Sequence, residues 1–105
     1  MATKSYNLRI PDTLFRLGEP VVEDLVVLAI GDDISEDHVR ETLELRSTLP
    51  KKGIREVLRM VTPEAVDEFN CIVDTIREDV DPEDQIRVRA CYKRGLCQVL
   101  RFDRE

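Results

Sequence analysis

Val21-Val22-Glu23-Asp24-Leu25-Val26-Val27-Leu28-Ala29-Ile30 is the stretch whose conformation decides the fold. Its four valines and one isoleucine, bounded by Gly31-Asp32-Asp33, favour a buried strand, which would enlarge the sheet. An apolar helix fits nearly as well and would make the chain mainly helical; with almost every position apolar, neither a period of 2 nor one of 3.6 emerges. The longest unbroken apolar run, Leu25 to Ile30, is six residues. A bilayer span needs roughly 20, so a membrane is not expected.

The chain is easier to read on either side of this stretch. Tyr6, Leu8 and Ile10 alternate with Asn7 and Arg9, the pattern of a half-buried strand stopped by Pro11. Asp12 opens a short turn through Leu14, Phe15 and Leu17, closed by Gly18 and Pro20. Ser35, followed by Glu36 and Asp37, is an N-cap with acidic residues in the first turn, where they complement the helix dipole. The helix it starts carries Val39 and Leu43 and runs to about Thr48. A second helix presents Ile54, Val57, Leu58 and Val61 as a narrow apolar stripe. Thr62-Pro63-Glu64 restarts the chain as a third helix, which buries Val66, Phe69, Ile72, Val73, Ile76 and Val80 and ends at Asp81-Pro82.

Residues 86–103 read as a β-hairpin. A three-residue loop, Lys93-Arg94-Gly95 with Gly95 left-handed, sets Tyr92 against Leu96, Ala90 against Gln98, Val88 against Leu100 and Ile86 against Phe102. Nearly all the apolar residues then share one face. A two-residue loop would instead oppose Val88 to Arg101, so the three-residue loop is the expected one. The resulting architecture is α+β: about three helices packed on a small antiparallel sheet that includes the C-terminal hairpin, with residues 1–105 forming a single domain.

Composition narrows the function. The charged fraction of 36% is well above the usual quarter, and the net charge is −6. Residues 1–84 carry 10 basic and 20 acidic side chains, whereas residues 85–105 carry 6 and 2, so the C-terminal hairpin is a basic patch on an acidic chain. Three cysteines, an odd number, and an N-terminal stretch without the apolar run of a leader point to a reducing, cytoplasmic setting. The five aromatics and the absence of Trp leave few flat faces for stacking bases.

Chemistry has few places to reside. His38 is the only histidine, and no G-x-S-x-G pattern accompanies it, so it reads as a surface residue in a first helical turn rather than a base. The soft ligands Cys71, Cys91, Cys97 and His38 lack the close paired spacing of a zinc site, and Asp32, Asp33, Glu36 and Asp37 are explained by capping and solvation. No metal and no cofactor are expected. In the three-residue-loop register Cys91 faces Cys97, which would permit a thiol redox pair; two free thiols under cover is the plainer reading in a reducing cell.

Three surfaces remain. The third helix has an acidic side, Glu64, Asp67, Glu68, Asp74 and Glu78, with Cys71 among them, and a cysteine so placed suggests that something covers the face. The outer hairpin face is expected to carry Arg87, Arg89, Lys93 and Arg101. The second helix repeats Lys51, Arg55 and Arg59 every four residues, beside Lys52. The expected function is a small acidic, non-enzymatic protein–protein interaction domain: an adaptor, inhibitor or regulatory subunit, or a homodimer. It would contact its partners through the acidic helix and the basic hairpin. The alternative is a nucleic-acid-binding regulator using Lys51, Lys52, Arg55, Arg59 and the hairpin cations, against which stands the lack of an aromatic on the exposed hairpin face.

Overall fold

Alternating apolar residues produce a first strand, β1 (Ala2–Arg9), and Pro11 turns the chain into a 3₁₀ segment at Asp12–Leu17. The computed structural model describes residues 2–79, 87–93 and 95–102. Four helices follow: α1 (Glu19–Gly31), α2 (Glu36–Arg46), α3 (Lys51–Leu58) and α4 (Pro63–Arg77). The chain finishes with β2 (Arg87–Lys93) and β3 (Leu96–Phe102), which join β1 in an antiparallel sheet of order β1-β3-β2. The class is α+β with a C-terminal hairpin. Val80, Asp81-Pro82, Ile86 and Arg94 lie outside the described residues.

The Val21–Ile30 stretch is a helix, and the leaning toward a strand is corrected. Gly18 turns the chain at φ 91°, and Pro20 sits in the first helical turn, where a missing N–H costs no bond. Val21, Val22, Leu25, Val26 and Ala29 are buried at helical spacing. The period was hidden because Val27 and Leu28, 44% and 48% exposed, are apolar on the solvent side, where a polar residue would have marked the face. α1 is the central helix, packed on β2, α2 and α4, while α4 also meets β1 and α3 rests on α2. Leu8, Ile10, Phe69, Val73, Tyr92 and Val99 share one buried cluster with α1.

Local chemistry fixes the helix ends. Ser35 caps α2 and Thr62 caps α4, its hydroxyl accepting from the Ala65 N–H at 3.1 Å. Between α1 and α2 the chain is pinned by Asn70, which is buried on α4. Its Oδ1 accepts from the Ile34 N–H at 2.9 Å and its Nδ2 donates to the Ile34 carbonyl at 2.9 Å. Beside it Arg77 donates to the Ala29 carbonyl at 2.5 Å and pairs with Asp33 and Asp74. These side chains satisfy backbone groups that the loop itself cannot pair.

The hairpin register also differs from expectation. Lys93 pairs with Leu96, Tyr92 with Cys97, Cys91 with Gln98, Ala90 with Val99, Arg89 with Leu100 and Val88 with Arg101, so the loop has two residues. Gly95 holds φ 79°, as either loop length requires. The third strand breaks the tie. β1 brings Leu8 against Cys97 and Tyr6 against Val99, so the inward row of β3 is Cys97 and Val99 rather than Leu96 and Leu100. Cys97 behaves as a small hydrophobe, fully buried. At the free edge of β2 the Tyr92 N–H donates to a Glu23 carboxylate oxygen at 2.9 Å, and so α1 blunts an edge that would otherwise invite another strand.

Candidate functional site

Strand alternation sorts the sheet into an inner face under α1 and α4 and an outer face with three cross-strand rungs. These are Arg9–Leu96–Lys93, Asn7–Gln98–Cys91 and Ser5–Leu100–Arg89. Eight of these nine residues are exposed and Leu100 is half-buried. The central strand thus offers two leucines, the flanking strands three cations, and the rungs contain no acid. On a chain of net charge −6 that is a local inversion of sign.

Sequence reasoning found part of this surface. Arg89 and Lys93 lie on it as expected; Arg87 precedes them in the same strand and is described by its backbone alone. Arg101 does not join them. It belongs to the inner row, is half-buried, and donates to the Asp79 carbonyl at 2.7 Å. Arg9, Leu96 and Leu100 were missed. The signal for Arg9 was present in the β1 alternation; the leucines were assigned to the wrong face by the loop length.

The same slip undoes the geometry proposed for the thiols. Cys91 faces Gln98 on the outer side, whereas Cys97 is buried on the inner side opposite Tyr92. A pair of cysteines on opposite faces of a hairpin does not have the facing Cβ atoms a disulfide needs. Burial pushes the Cys97 thiol up to about 12, with the Glu23 carboxylate adding to the effect. Cys71 and Cys91 are the exposed thiols.

The acidic row of α4 is present as read: Glu64, Asp67, Glu68, Cys71, Asp74 and Glu78 are all exposed. Asp74 is partly occupied by Arg77 at 2.6 Å. Because α4 packs on the inner side of the sheet, this row and the basic rungs are two separate surfaces. Lys51, Lys52, Arg55 and Arg59 are exposed along α3, where Lys51 and Arg55 join Glu44, Ile54 and Leu58 around an open groove of about 500 Å³. A smaller hollow of about 280 Å³ is lined by Leu28, Gly31, Asp32, Asp33, Ile34 and His38. Among the described residues neither lining includes a Ser, Thr or Cys.

His38 has a structural task. It is the third residue of α2, and its Nδ1 accepts from the Ser35 N–H at 2.8 Å while the Ser35 hydroxyl accepts from the His38 N–H. That is a capping box with histidine in the place usually held by Glu or Gln. Among the described residues no group of three or more His, Cys, Asp or Glu side chains is placed to hold a metal ion.

One polar cluster ties α4 to the sheet. Asp79 accepts from the Lys4 ammonium and, at 2.6 Å, from the Tyr6 hydroxyl, with the Lys4 ammonium 5.2 Å from the Tyr6 ring centroid. The hydrogen bonds from Lys4 and then Tyr6 hold the Asp79 carboxyl below the usual carboxylate range, and the bond to Asp79 raises Lys4. Burial, and then its own hydrogen bond to Asp79, raises Tyr6.

No helix among the described residues is long and apolar enough to cross a membrane. Compared with models of known protein families, with curated proteins and with solved structures, the chain matches none.

Proposed function

We propose that this chain is a small, non-enzymatic protein–protein interaction domain of the regulatory or adaptor kind, acting in the cytoplasm. It meets partner proteins through the outer face of its sheet and the acidic row of α4. The observation that carries this reading is the open sheet face: two leucines on the central strand, ringed by cations, with every flanking residue exposed. An exposed leucine beside a half-buried one, with a polar rim, is the anatomy of a small contact surface. The acidic row of α4 supplies a second surface of opposite sign, and complementary charge sets the register of such contacts.

The two native exposed thiols allow a direct test. A thiol-to-photoreactive crosslinker is placed on Cys91 in a Cys71→Ser chain, and on Cys71 in a Cys91→Ser chain, and each is irradiated in cell extract. Protein adducts that excess unlabelled chain competes away are the expected result; no saturable adduct at either thiol overturns the reading. The nucleic-acid alternative draws on the exposed cations Lys51, Lys52, Arg55 and Arg59 of α3 together with Arg89 and Lys93. It is examined by titrating the reduced protein against labelled single- and double-stranded nucleic acids at low and physiological salt. Binding that persists at physiological salt with a slope of several phosphates displaces the protein reading; no binding at either salt sets nucleic acid aside.

A further inference from the structure

We infer that the partner laid on the outer sheet face is an acidic amphipathic helix. It runs along β3, with its apolar stripe on Leu96 and Leu100 and an acidic flank over Lys93 and Arg89. This rests on the interaction reading above and specifies its partner.

The rungs dictate the chemistry. Leu96 and Leu100 stand four residues apart on the central strand with Gln98 between them, about 13 Å at the strand rise. Residues seven or eight apart on one helix face, about 10.5–12 Å at about 1.5 Å per residue, reach both when the leucine side chains lean. The flanking strands lie about 4.8 Å to either side, so the cations of the β2 flank (Lys93 and Arg89) and of the β1 flank (Arg9) border the leucine line as a rim borders a core. The rungs carry no acid, so the rim selects a negatively charged partner.

The occupant is a helix because the contact is with a sheet face and not with an edge. A segment lying across side chains receives no backbone hydrogen bonds from the sheet, and the single segment that satisfies its own backbone groups internally is a helix. A second copy of this chain fits poorly. Face-to-face stacking of two identical sheets would bring like charges together, and the exposed row of α4 offers Cys71 but no leucine-sized residue. Among the exposed apolar residues described elsewhere (Val27, Leu28, Leu45, Leu49 and Met60) no two lie two turns apart on one helix to meet Leu96 and Leu100. Nucleic acid would find three cations around two leucines, and the three rungs contain no aromatic to stack on.

The experiment is a fluorescence-anisotropy titration of the whole chain against three labelled synthetic peptides. The first is a helix-forming peptide with a leucine stripe flanked by glutamates. The second has lysine for glutamate, and the third has the composition of the first with its order shuffled to destroy the stripe. The expected result is saturable binding of the first, with the other two at least about tenfold weaker. The affinity of the first is expected to fall about tenfold or more in the Arg89→Glu/Lys93→Glu chain, and again in Leu96→Asn. All three positions are exposed, and circular dichroism of each variant verifies the fold. Equal binding of the lysine peptide, or an affinity that the double substitution leaves unchanged, overturns the proposal. If no peptide binds while saturable adducts still form at Cys91, the helical partner is wrong and the interaction reading stands. If adducts are missing at Cys91 and at Cys71 too, both fail.

Discussion

Replacing Asn70 by Ala tests how the α1–α2 connection is held. The Asn70 side chain, on a residue 8% exposed, makes both hydrogen bonds of the Ile34 peptide groups, each at 2.9 Å, and Ile34 is itself 5% exposed. Truncation orphans a buried N–H and a buried C=O, at about 1–3 kcal/mol apiece; partial entry of water lowers the sum to about 2–4 kcal/mol. Arg77 is no substitute. Its nearest nitrogen reaches only Asn70 Oδ1, at 3.5 Å, and its other donors are taken by Ala29, Asp33 and Asp74. For a domain of about 5–15 kcal/mol total stability this is a large fraction. With a urea slope of about 2 kcal/mol/M, the middle of the usual range, the midpoint falls by about 1–2 M at unchanged slope. The assay is urea unfolding followed by circular dichroism, paired with hydrogen exchange at the Ile34 amide, which should accelerate beyond what the global loss accounts for. A midpoint shift under about 0.3 M, or an Ile34 amide that exchanges as in the parent chain, would refute the reasoning.

Four further outcomes are expected. Alkylation of the native, reduced chain modifies Cys71 and Cys91 and spares Cys97, whose buried thiol is pushed up to about 12; three rapid equivalents in the folded state would contradict its burial. The lowered Asp79 carboxyl contributes stability above the unfolded carboxylate value, and that contribution is lost as pH falls through the folded value. Asp79→Asn is therefore expected to flatten the acid side of a stability–pH curve. Lys4, raised by the same contact, contributes below its unfolded value and loses that contribution as pH rises through the folded one, so Lys4→Met is expected to flatten the alkaline side. For the sheet, Val99→Asp places a charge at a fully buried position and is expected to cost at least about 3 kcal/mol. Leu96→Asn on the outer face stays within about 1 kcal/mol of the parent. The opposite order of melting temperatures would restore the three-residue loop.

Where the sequence was legible, a local rule was enough. Ser35 and Thr62-Pro63 mark the starts of α2 and α4 because capping is chemistry within one turn. β1 reads from its alternation, and the acidic row of α4 from the helical wheel. What was not legible needed a partner element. α1 is enclosed by β2, α2 and α4, so it carries no broad polar stripe, and its exposed Val27 and Leu28 removed what remained of the period. Asn70 and Arg77 gave no signal, since their partners lie in a loop far along the chain. Histidine in a capping box escaped notice because Glu or Gln is the residue sought there.

The hairpin register links this reading to the functional proposal. Counting apolar residues puts Leu96 and Leu100 inward, because a leucine left outside looks like an error that a one-residue slip would repair. The slip is forbidden by β1: Leu8 and Tyr6 must meet an apolar row, and with three strands that row is Cys97 and Val99. The chain therefore satisfies its own core with a cysteine and a valine and leaves two leucines unspent on the solvent face. A hairpin selected only for folding would carry polar residues at those positions, as β1 does at Ser5, Asn7 and Arg9. The conflict between the local count and the three-stranded register falls on the face assigned here to a partner, which is where a sequence shaped by binding as well as by folding is expected to break a folding rule.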